Sequence, residues 1–370
     1  MVMELWYEQA WKEALEKLHQ TAGEIGTAFP HVCKTGKYDN EAASWWTNGY
    51  WPGILWLAYR ETKEENFMGL AQQIEEKMDQ PLEEYFELHH DVGFMWLLSS
   101  VAQYRLNGNE TSKKRALKAA AFLASRFNPK GRFIRAWNQA DRQDPPVAGW
   151  AIIDCMMNIP LLFWASEMTG DPRYRHVACA HADTVLKEFI RKDGSSHHIV
   201  CFDPESGKRI CALGGQGYGP DSAWSRGCGW AIYGMALAYQ YTGNEKYLKS
   251  AKKSAAFFME AMGDQPVPYW DFRAPVTENT PWDASAAGIA ACGMLEIAKY
   301  TRSKFYVRSA ELLLKNLYEH CYCPDPAYQG LILHATGNNE RNHNVDVSLI
   351  YGDYYYLEGL LRLQGRDRLF

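Results

Sequence analysis

Two short stretches of the sequence place carboxylates where a catalytic acid or base could act. In LHHDVGF, residues 88–94, two histidines and Asp91 directly precede an apolar run that extends to Leu98. In IIDCMM, residues 152–157, Asp154 lies among apolar side chains. A carboxylate in apolar surroundings is costly unless it has partners or is protonated. Both stretches therefore indicate chemistry.

The two aspartates are expected to differ in protonation. Asp91 is predicted to begin a helix, where the helix dipole favours the ionised carboxylate, and His90 precedes it. Desolvation is expected to raise the pKa of Asp154, which suits a general acid near neutral pH. Asn158 follows Asp154 by one helical turn and is expected to face the same way. A carboxyl group expected to be ionised and one expected to be protonated form a candidate acid and base pair.

Each candidate residue also has a structural interpretation. Asp91 could simply cap a helix, which is the commoner role in an arbitrary protein. Asp154 could be a buried structural acid, although uncompensated buried carboxylates are rare. Arg226 could form a surface ion pair. The tryptophans of one aromatic stretch could belong to the core: Trp45, Trp46 and Trp51.

Composition argues against several classes of partner. The 370 residues have a net charge of -5 at pH 7, and the basic residues are scattered, which disfavours nucleic acid and anionic membranes as partners. The 14 Trp and 22 Tyr side chains suit a sugar-binding cleft, because they combine an apolar face with a polar atom. The nine cysteines form no zinc spacing, so no metal is expected, and the sequence has no Gly-rich phosphate loop or nucleotide motif, so no other cofactor is expected.

The same features predict a cytoplasmic protein. The cysteines are odd in number, and several lie in apolar stretches, which is typical of reduced thiols. The N-terminal segment has no basic signal region. The apolar run at 147–165 is interrupted by Asp154, Asn158 and Pro160, so it is predicted to be a buried helix and not a membrane span.

A repeated helical unit predicts the architecture. An apolar helix, a short turn with Gly-Asn or Gly-Asp signals and an amphipathic helix recur along the chain. The six units lie near residues 53–67, 97–116, 161–178, 233–251, 293–310 and 354–365. Such pairs are expected to close into a double ring of inner and outer helices. The prediction is an all-α fold, an (α/α)6 barrel, in one domain over residues 1–370.

The polar and aromatic motifs recur at equivalent positions of this barrel. Each precedes or opens a predicted inner helix: 44–56, 88–94, 149–160, 221–234, 282–293 and 351–359. The starts of the inner helices are expected to line one end of a central funnel. This shared position favours the functional interpretation over the structural ones.

The motifs, in this order, resemble the unsaturated glucuronyl hydrolases of glycoside hydrolase family 88. The similarity spans nearly the whole chain and includes FPHV, WTNGYWPGILW, HHDVGF, IIDCMMNIPLLFWA, SSHH, FDPESG, QGYGPDSAWSRGCGWAIYG, YWDF, DASAAGIAACGMLEIA and GDYYYLEGLLRL. The resemblance implies an (α/α)6 barrel and a hydrolysis that needs no metal. The implied substrates are di- or oligosaccharides made by polysaccharide lyases, with a C4=C5 double bond in the nonreducing-end uronate.

The resemblance also implies roles for individual residues. Asp154 resembles the family's proton donor, which protonates C4 and activates the water that adds at C5, so that the resulting hemiketal opens and releases the sugar. Asp91 resembles the second carboxylate, which orients the substrate. The implied substrate-binding positions are Trp46, His90, Trp137, His198, Gln216, Arg226 and Trp230. From its planar guanidinium, we further expect Arg226 to bind the uronate carboxylate through two parallel hydrogen bonds.

One loop departs from the family pattern, and several alternatives stay open. Some members that accept sulfated glycosaminoglycan fragments have Ser and Lys in this loop to hold a sulfate, whereas residues 337–348 here include Arg341 and His343. A sulfate preference is therefore not predicted. The alternatives are an unsaturated rhamnogalacturonyl hydrolase, a sugar 2-epimerase that uses histidines on the same fold, and a noncatalytic helical scaffold. The chain is expected to be a monomer or a homodimer.

Overall fold

The computed structural model describes residues 5–85, 87–138 and 145–370, and it confirms the all-α (α/α)6 barrel. The helices are, in chain order, α1 (Trp6–Ile25), α2 (Tyr50–Thr62), α3 (Glu65–Lys77), α4 (Asp79–Glu84), α5 (Val92–Trp96), α6 (Ala102–Asn107), α7 (Glu110–Ser125), α8 (Pro160–Thr169), α9 (Pro172–Glu188), α10 (Ser225–Thr242), α11 (Glu245–Met262), α12 (Ala284–Ala298), α13 (Lys304–His320) and α14 (Ile350–Leu363). A π-helical turn, Leu97–Val101, joins α5 to α6.

The inner ring consists of α2, α5 with α6, α8, α10, α12 and α14, and the outer ring consists of α1, α3, α7, α9, α11 and α13. The apolar pattern of each helix explains its place. In α12 every residue from Ala284 to Ile297 is buried, whereas α13 buries only one face. An all-apolar helix needs neighbours on all sides, and an amphipathic helix can cover it from the outside.

The predicted turn signals separate inner from outer helices. Gly108 and Gly170 end α6 and α8 with φ angles of 74° and 69°, in the left-handed region that glycine adopts without strain. The following residues, Asn109 and Asp171, cap α7 and α9, because their side-chain oxygens accept hydrogen bonds from backbone N–H groups of the first turn. The signal therefore fixes both ends of the turn.

The sixth helix pair differs from the prediction. Helix α14 is followed by the non-helical segment 364–370, and its outer partner is α1, from the other end of the chain. The two-stranded sheet of β1 (Val32–Cys33) and β7 (Ser348–Leu349) joins the same two parts of the chain. The barrel therefore closes through long-range contacts that a local sequence pattern does not contain.

Further strands lie between the helices: β2 (Phe127–Asn128), β3 (Phe133–Ile134), β4 (Trp150–Ile152), β5 (Ile199–Phe202) and β6 (Arg209–Leu213). The antiparallel sheet β4-β5-β6 corrects the prediction of one buried helix at 147–165. There, strand β4 is followed by a 3₁₀ segment, Ile153–Met157, and only Pro160–Thr169 is α-helical. Pro160 begins α8 because proline suits the first turn of a helix and not its interior.

This sheet positions the residues of the site. Ile152 pairs with Ile199, and the backbone N–H of Ile153 donates to the carbonyl of His198 at 3.0 Å. Asp154 and His198 are consequently held side by side, each directly next to the sheet.

The core is continuous around the barrel. One cluster of buried apolar side chains runs from Ala10 to Phe370 and includes residues from every helix pair. In the described part of the chain, no helix is both long enough and apolar enough to cross a membrane. The single domain over residues 1–370 stays a prediction.

Close packing under the 3₁₀ segment can be tested with a glycine substitution. A Cβ atom at Gly234, in α10, would lie 2.4 Å from Cβ of Met156 and 2.8 Å from its carbonyl oxygen. We expect Gly234→Ala to lower the free energy of unfolding by about 1–3 kcal/mol, because neither backbone can move freely. Gly69→Ala, in α3, is the control: its Cβ meets nothing within 4 Å, so a gain of about 0.5–1 kcal/mol is expected. Equal urea denaturation curves for Gly234→Ala and the wild type would contradict this packing.

Candidate active site

Asp91 lies at the start of α5 without capping it. It occupies the N-cap position, but its carboxylate makes no capping hydrogen bond. Instead, Asp91 Oδ1 accepts a hydrogen bond from Asn158 Nδ2 at 3.0 Å. His89 Nδ1 lies 3.3 Å from Oδ2, and His90 Nε2 lies 3.4 Å from Oδ1. The carboxylate is therefore held by neighbouring side chains and does not cap the helix.

These neighbours keep Asp91 ionised. Burial acts to raise the pKa of Asp91, but the adjacent imidazoles of His90 and His89 and the hydrogen bond from Asn158 hold it below the usual aspartate value. Burial also lowers the pKa of His90 to about 3, so this ring is neutral at pH 7. Because the neutral His90 ring contributes little charge, we attribute the low pKa of Asp91 to the His89 and Asn158 side chains.

Asp154 has the opposite environment. Its Oδ2 atom is buried and has no hydrogen-bond partner among the described residues. Burial, followed by the charge of Asp91, raises the pKa of Asp154 to about 7, while Arg226 and the Trp230 N–H act in the other direction. The Trp230 N–H itself is too far away or misaligned to form a hydrogen bond. A carboxyl group with this pKa can both give and take a proton near neutral pH.

The contacts of His198, which lies beside Asp154, define its tautomer. The backbone N–H of Gln216 donates to His198 Nδ1 at 2.9 Å, so Nδ1 carries no proton. Burial lowers the pKa of His198 to about 3, so the ring is neutral. We therefore assign its single proton to Nε2, which lies 3.6 Å from Asp154 Oδ2.

Several buried polar atoms around the two aspartates lack hydrogen-bond partners within the described ranges. They are Asp154 Oδ2, His198 Nε2, Trp230 Nε1 and both ring nitrogens of His90. Buried polar atoms are normally paired, and unpaired ones are costly. Because the neutral His90 ring has one donor and one acceptor nitrogen, this set combines donors and acceptors, which suits an occupant with hydroxyl groups, such as a sugar or ordered water.

A cavity of about 530 Å³ opens beside this group. It contains three of the predicted binding residues, Trp137, His198 and Gln216. Asn338 and Arg341 contribute the loop that departs from the family pattern. The other lining residues are Asn138, Val147, Trp150, Ile199, Leu213 and Gly215. The cavity combines aromatic, amide and cationic groups, as a site for an anionic sugar requires.

The other two predicted tryptophans lie in an aromatic cluster on the inner helices. The ring centroid of Trp46 lies 5.3 Å from that of Tyr351 and 5.7 Å from that of Phe94. Trp230 lies 5.2 Å from Phe94 by the same measure. Trp46 is half-buried, whereas Trp230 is fully buried and its indole N–H has no hydrogen-bond partner among the described residues. Trp51 is a core residue, as one interpretation predicted.

Arg226 is buried and already hydrogen-bonded by the protein. Its Nη1 donates to Asp283 Oδ2 at 2.5 Å and to the carbonyl of Thr336 at 2.6 Å. Its Nη2 donates to Gln216 Oε1 at 2.6 Å and to the carbonyl of Gly337 at 2.7 Å. The interpretation of Arg226 as a member of a surface ion pair is thus wrong. The expected two-bond contact to a ligand carboxylate is not available in this arrangement, because both ends of the guanidinium have acceptors.

Sequence reasoning missed two residues that organise the site. Asp283 precedes α12 in a motif that was recognised, but the carboxylate itself was not singled out, and it pairs with Arg226. The ring centroid of Trp224 lies 4.3 Å from that of His198 and 4.6 Å from the Arg226 guanidinium. The one available signal was their position beside the inner-helix starts.

Comparison with known proteins identifies the family. Residues 21–358 match the family described as Glycosyl Hydrolase Family 88. The chain belongs to this family. The unsaturated glucuronyl hydrolase of Bacillus sp. (strain GL1) is 38% identical over 367 residues, which are 97% of each chain. An unsaturated chondroitin disaccharide hydrolase of Streptococcus pneumoniae is 35% identical over 86% of this chain and 81% of its own. The crystal structure of the Bacillus sp. GL1 glucuronyl hydrolase superposes with a TM-score of 0.92 at 37% identity, covering 97% of both chains.

One cluster in this family 88 chain could hold a metal ion. The ligand atoms of His89, His90 and Asp91 lie within 4.8 Å of one another. We expect the activity nevertheless to be independent of metal, because Asp91 is held by its hydrogen bond to Asn158 and its neighbouring imidazoles. Dialysis against EDTA should leave kcat/KM on an unsaturated disaccharide unchanged. Loss of activity that zinc or another divalent ion restores would contradict this.

Burial of Asp154 should also be visible in the pH dependence of stability. Between the ordinary aspartate pKa and about 7, the unfolded chain has lost this proton and the folded chain retains it. The contribution of Asp154 to stability is therefore full at low pH and is lost as pH rises towards 7. Asp154→Asn removes this effect. The free energy of unfolding of the variant minus that of the wild type should therefore rise by up to about 4 kcal/mol between pH 4 and pH 8. Parallel stability curves from pH 4 to pH 8 would contradict the raised pKa.

Proposed function

We propose that this family 88 protein releases the unsaturated uronic acid from the nonreducing end of lyase-generated oligosaccharides. The observation that carries the proposal is the pairing of an ionised Asp91 with an Asp154 whose pKa is raised to about 7. Relatives that cover nearly the whole chain are named for unsaturated glucuronyl and unsaturated chondroitin disaccharide substrates. The cavity beside the aspartates has aromatic and cationic groups suited to such a sugar.

The proposed reaction is hydration of the C4=C5 double bond. Protonated Asp154 gives its proton to C4, and the carboxylate that results takes a proton from the water that adds at C5. The product is a hemiketal at C5, because the ring oxygen is also bound there. Opening of this hemiketal breaks the bond between C5 and the ring oxygen and leaves a ketone at C5 and a hemiacetal at C1. The hemiacetal then expels the remaining sugar as an alcohol and becomes an aldehyde. The raised pKa of Asp154 suits both proton transfers, since the same group acts first as the acid at C4 and then as the base towards the water.

The neighbouring groups have orienting roles in this proposal. The ionised Asp91 accepts a hydrogen bond from a sugar hydroxyl and holds the uronate in place. The Nε2–H of His198 lies 3.6 Å from Asp154 Oδ2, and we assign it the role of orienting that carboxyl or the attacking water. Gln216 is fixed by Arg226 and faces the cavity. We propose that Arg226 contributes mainly through its positive charge and its hold on Gln216.

Substrate contacts beyond the reacting ring are proposed for the cavity wall. Trp137 offers an aromatic face to the sugar path, and Arg341 offers a cation to an acidic sugar or its substituents. An unsaturated rhamnogalacturonyl hydrolase would share the reaction and differ in the second sugar. A 2-epimerase would depend on histidine bases, whereas burial keeps the pKa of His90 and of His198 at about 3.

Location and assembly are also part of the proposal. Seven of the nine cysteine thiols are buried and the other two are half-buried, and all are free, which suits a reducing compartment such as the cytoplasm. A monomer or homodimer remains the proposed assembly.

The decisive experiment follows the solvent proton. With an unsaturated chondroitin disaccharide in deuterium oxide, the product of the first turnovers should carry one deuterium on a single face of C4, detected by NMR. Displacement at the anomeric carbon would release the unsaturated uronic acid itself, whose enol form takes up deuterium on both faces of C4 when it tautomerises in solution. Asp154→Asn should fold and lose activity on the order of 10³-fold, because an amide cannot exchange that proton. The same assay with a lyase-generated rhamnogalacturonan disaccharide measures the main alternative.

A matched control is available on α14. Asp353 is also buried and has a pKa raised to about 6, but its oxygens accept hydrogen bonds from Tyr38 Oη and from two backbone N–H groups. Asp353→Asn should lower stability and keep the activity of each folded molecule. Product with deuterium on both faces of C4, or Asp154→Asn with the activity of Asp353→Asn, would overturn the proposed reaction.

A further inference from the structure

Asn158 contacts the segments of both aspartates through one side-chain amide. Its Nδ2 donates to Asp91 Oδ1 at 3.0 Å and to the backbone carbonyl of Asp154 at 3.3 Å. Its Oδ1 accepts a hydrogen bond from the backbone N–H of Phe94 at 2.7 Å. The residue itself is fully buried. All the donors and acceptors of the amide are thus directed at the two segments that carry the aspartates.

The contact is too close to allow another side chain in this place. A Cβ atom at Gly93 would lie 2.3 Å from Cα of Asn158 and 2.5 Å from its Oδ1. The first turn of α5 therefore approaches Asn158 as closely as a glycine backbone permits. A longer side chain at 158 would displace the turn that carries Asp91.

The amide also links the protonation of the two carboxyl groups. Without the Nδ2 donor, Asp91 Oδ1 would lose its hydrogen bond and keep the neutral His90 ring at 3.4 Å, while His89 would still lie 3.3 Å from Oδ2. Its ionised form would then be less stable. The charge of Asp91 in turn contributes to the raised pKa of Asp154. A substitution at Asn158 should therefore change the pKa of both Asp91 and Asp154.

We propose that Asn158 is a positioning residue that sets the spacing of the two aspartates and keeps Asp91 ionised. Resting on the proposed function, the inference assigns Asn158 no contact with the substrate. It predicts that substitutions at 158 change the pH profile of the reaction and lower kcat more than they change KM.

The direct test is Asn158→Asp, which keeps the shape of the side chain and places a second carboxylate against Asp91. We expect the acidic limb of the kcat/KM profile to move up by about one pH unit or more, because two adjacent carboxylates resist joint ionisation. We also expect kcat at pH 7 to fall by about 10- to 100-fold. Asn158→Leu, which removes the donor and adds no charge, should shift the limb in the same direction by a smaller amount.

The control is Asn128→Asp. Asn128 also donates to a backbone carbonyl, that of Pro204 at 2.8 Å, and its Oδ1 accepts from two backbone N–H groups, but it lies in β2 away from the aspartates. This variant should lose stability and keep the wild-type pH profile. If the Asn158 variants behave like Asn128→Asp, or if neither of them folds, Asn158 is a stability residue and the proposal is wrong.

A second measurement separates this inference from the proposed function. In protein labelled with carbon-13 at the aspartate carboxyl carbons, the Asp91 signal is assigned by its absence in Asp91→Asn. Its titration should move to higher pH in Asn158→Asp, whether or not any substrate is turned over. A wild-type protein that is inactive on every unsaturated disaccharide would sink the proposed function alone. An unchanged Asp91 titration would sink the role of Asn158 alone.

Discussion

The site depends on the burial of one carboxyl group without a compensating partner. Asp154 Oδ2 has no hydrogen bond within the described chain, and burial with the nearby charge of Asp91 raises its pKa to about 7. This arrangement costs stability, because an ionised carboxylate would be better solvated in water. Such an unfavourable group persists in a folded protein if the surrounding backbone cannot relax to relieve it. The sheet β4-β5-β6 and the close contact with Gly234 supply that rigidity.

The opposite end of the barrel shows how the same fold treats a carboxylate that has no chemical task. Glu296, near the end of α12, is also buried, but Arg362 and Arg368 donate to its Oε2 at 2.6 and 3.1 Å. These arginines hold the pKa of Glu296 below its ordinary value in spite of burial. Glu296 is thus ionised at neutral pH and paired with two arginines from the end of the chain. The contrast with Asp154 separates a structural acid from one that can exchange a proton.

Local patterns in the sequence were sufficient for the helices and for the two aspartates. Gly-Asn and Gly-Asp pairs predict a helix end followed by a helix cap from local residue types alone. The carboxylate in IIDCMM was recognised because its sequence neighbours are apolar. The closure of the barrel by α1, the strand β4 and the 3₁₀ turn at Asp154 were not predictable in this way. Each depends on pairing with a distant segment, as Ile152 pairs with Ile199. The partners of Arg226 were missed for the same reason, since Asp283 and Thr336 are far away in sequence.

Arg226 joins the cavity rim to the chemical centre. It binds the carbonyl groups of Thr336 and Gly337, at the start of the loop that departs from the family pattern, and it fixes Gln216 on the cavity wall. Its positive charge also acts on Asp154, where it opposes the rise in pKa. One guanidinium therefore contacts the loop, holds Gln216 on the cavity wall and lowers the proton affinity of Asp154, so a change in its position would alter all three.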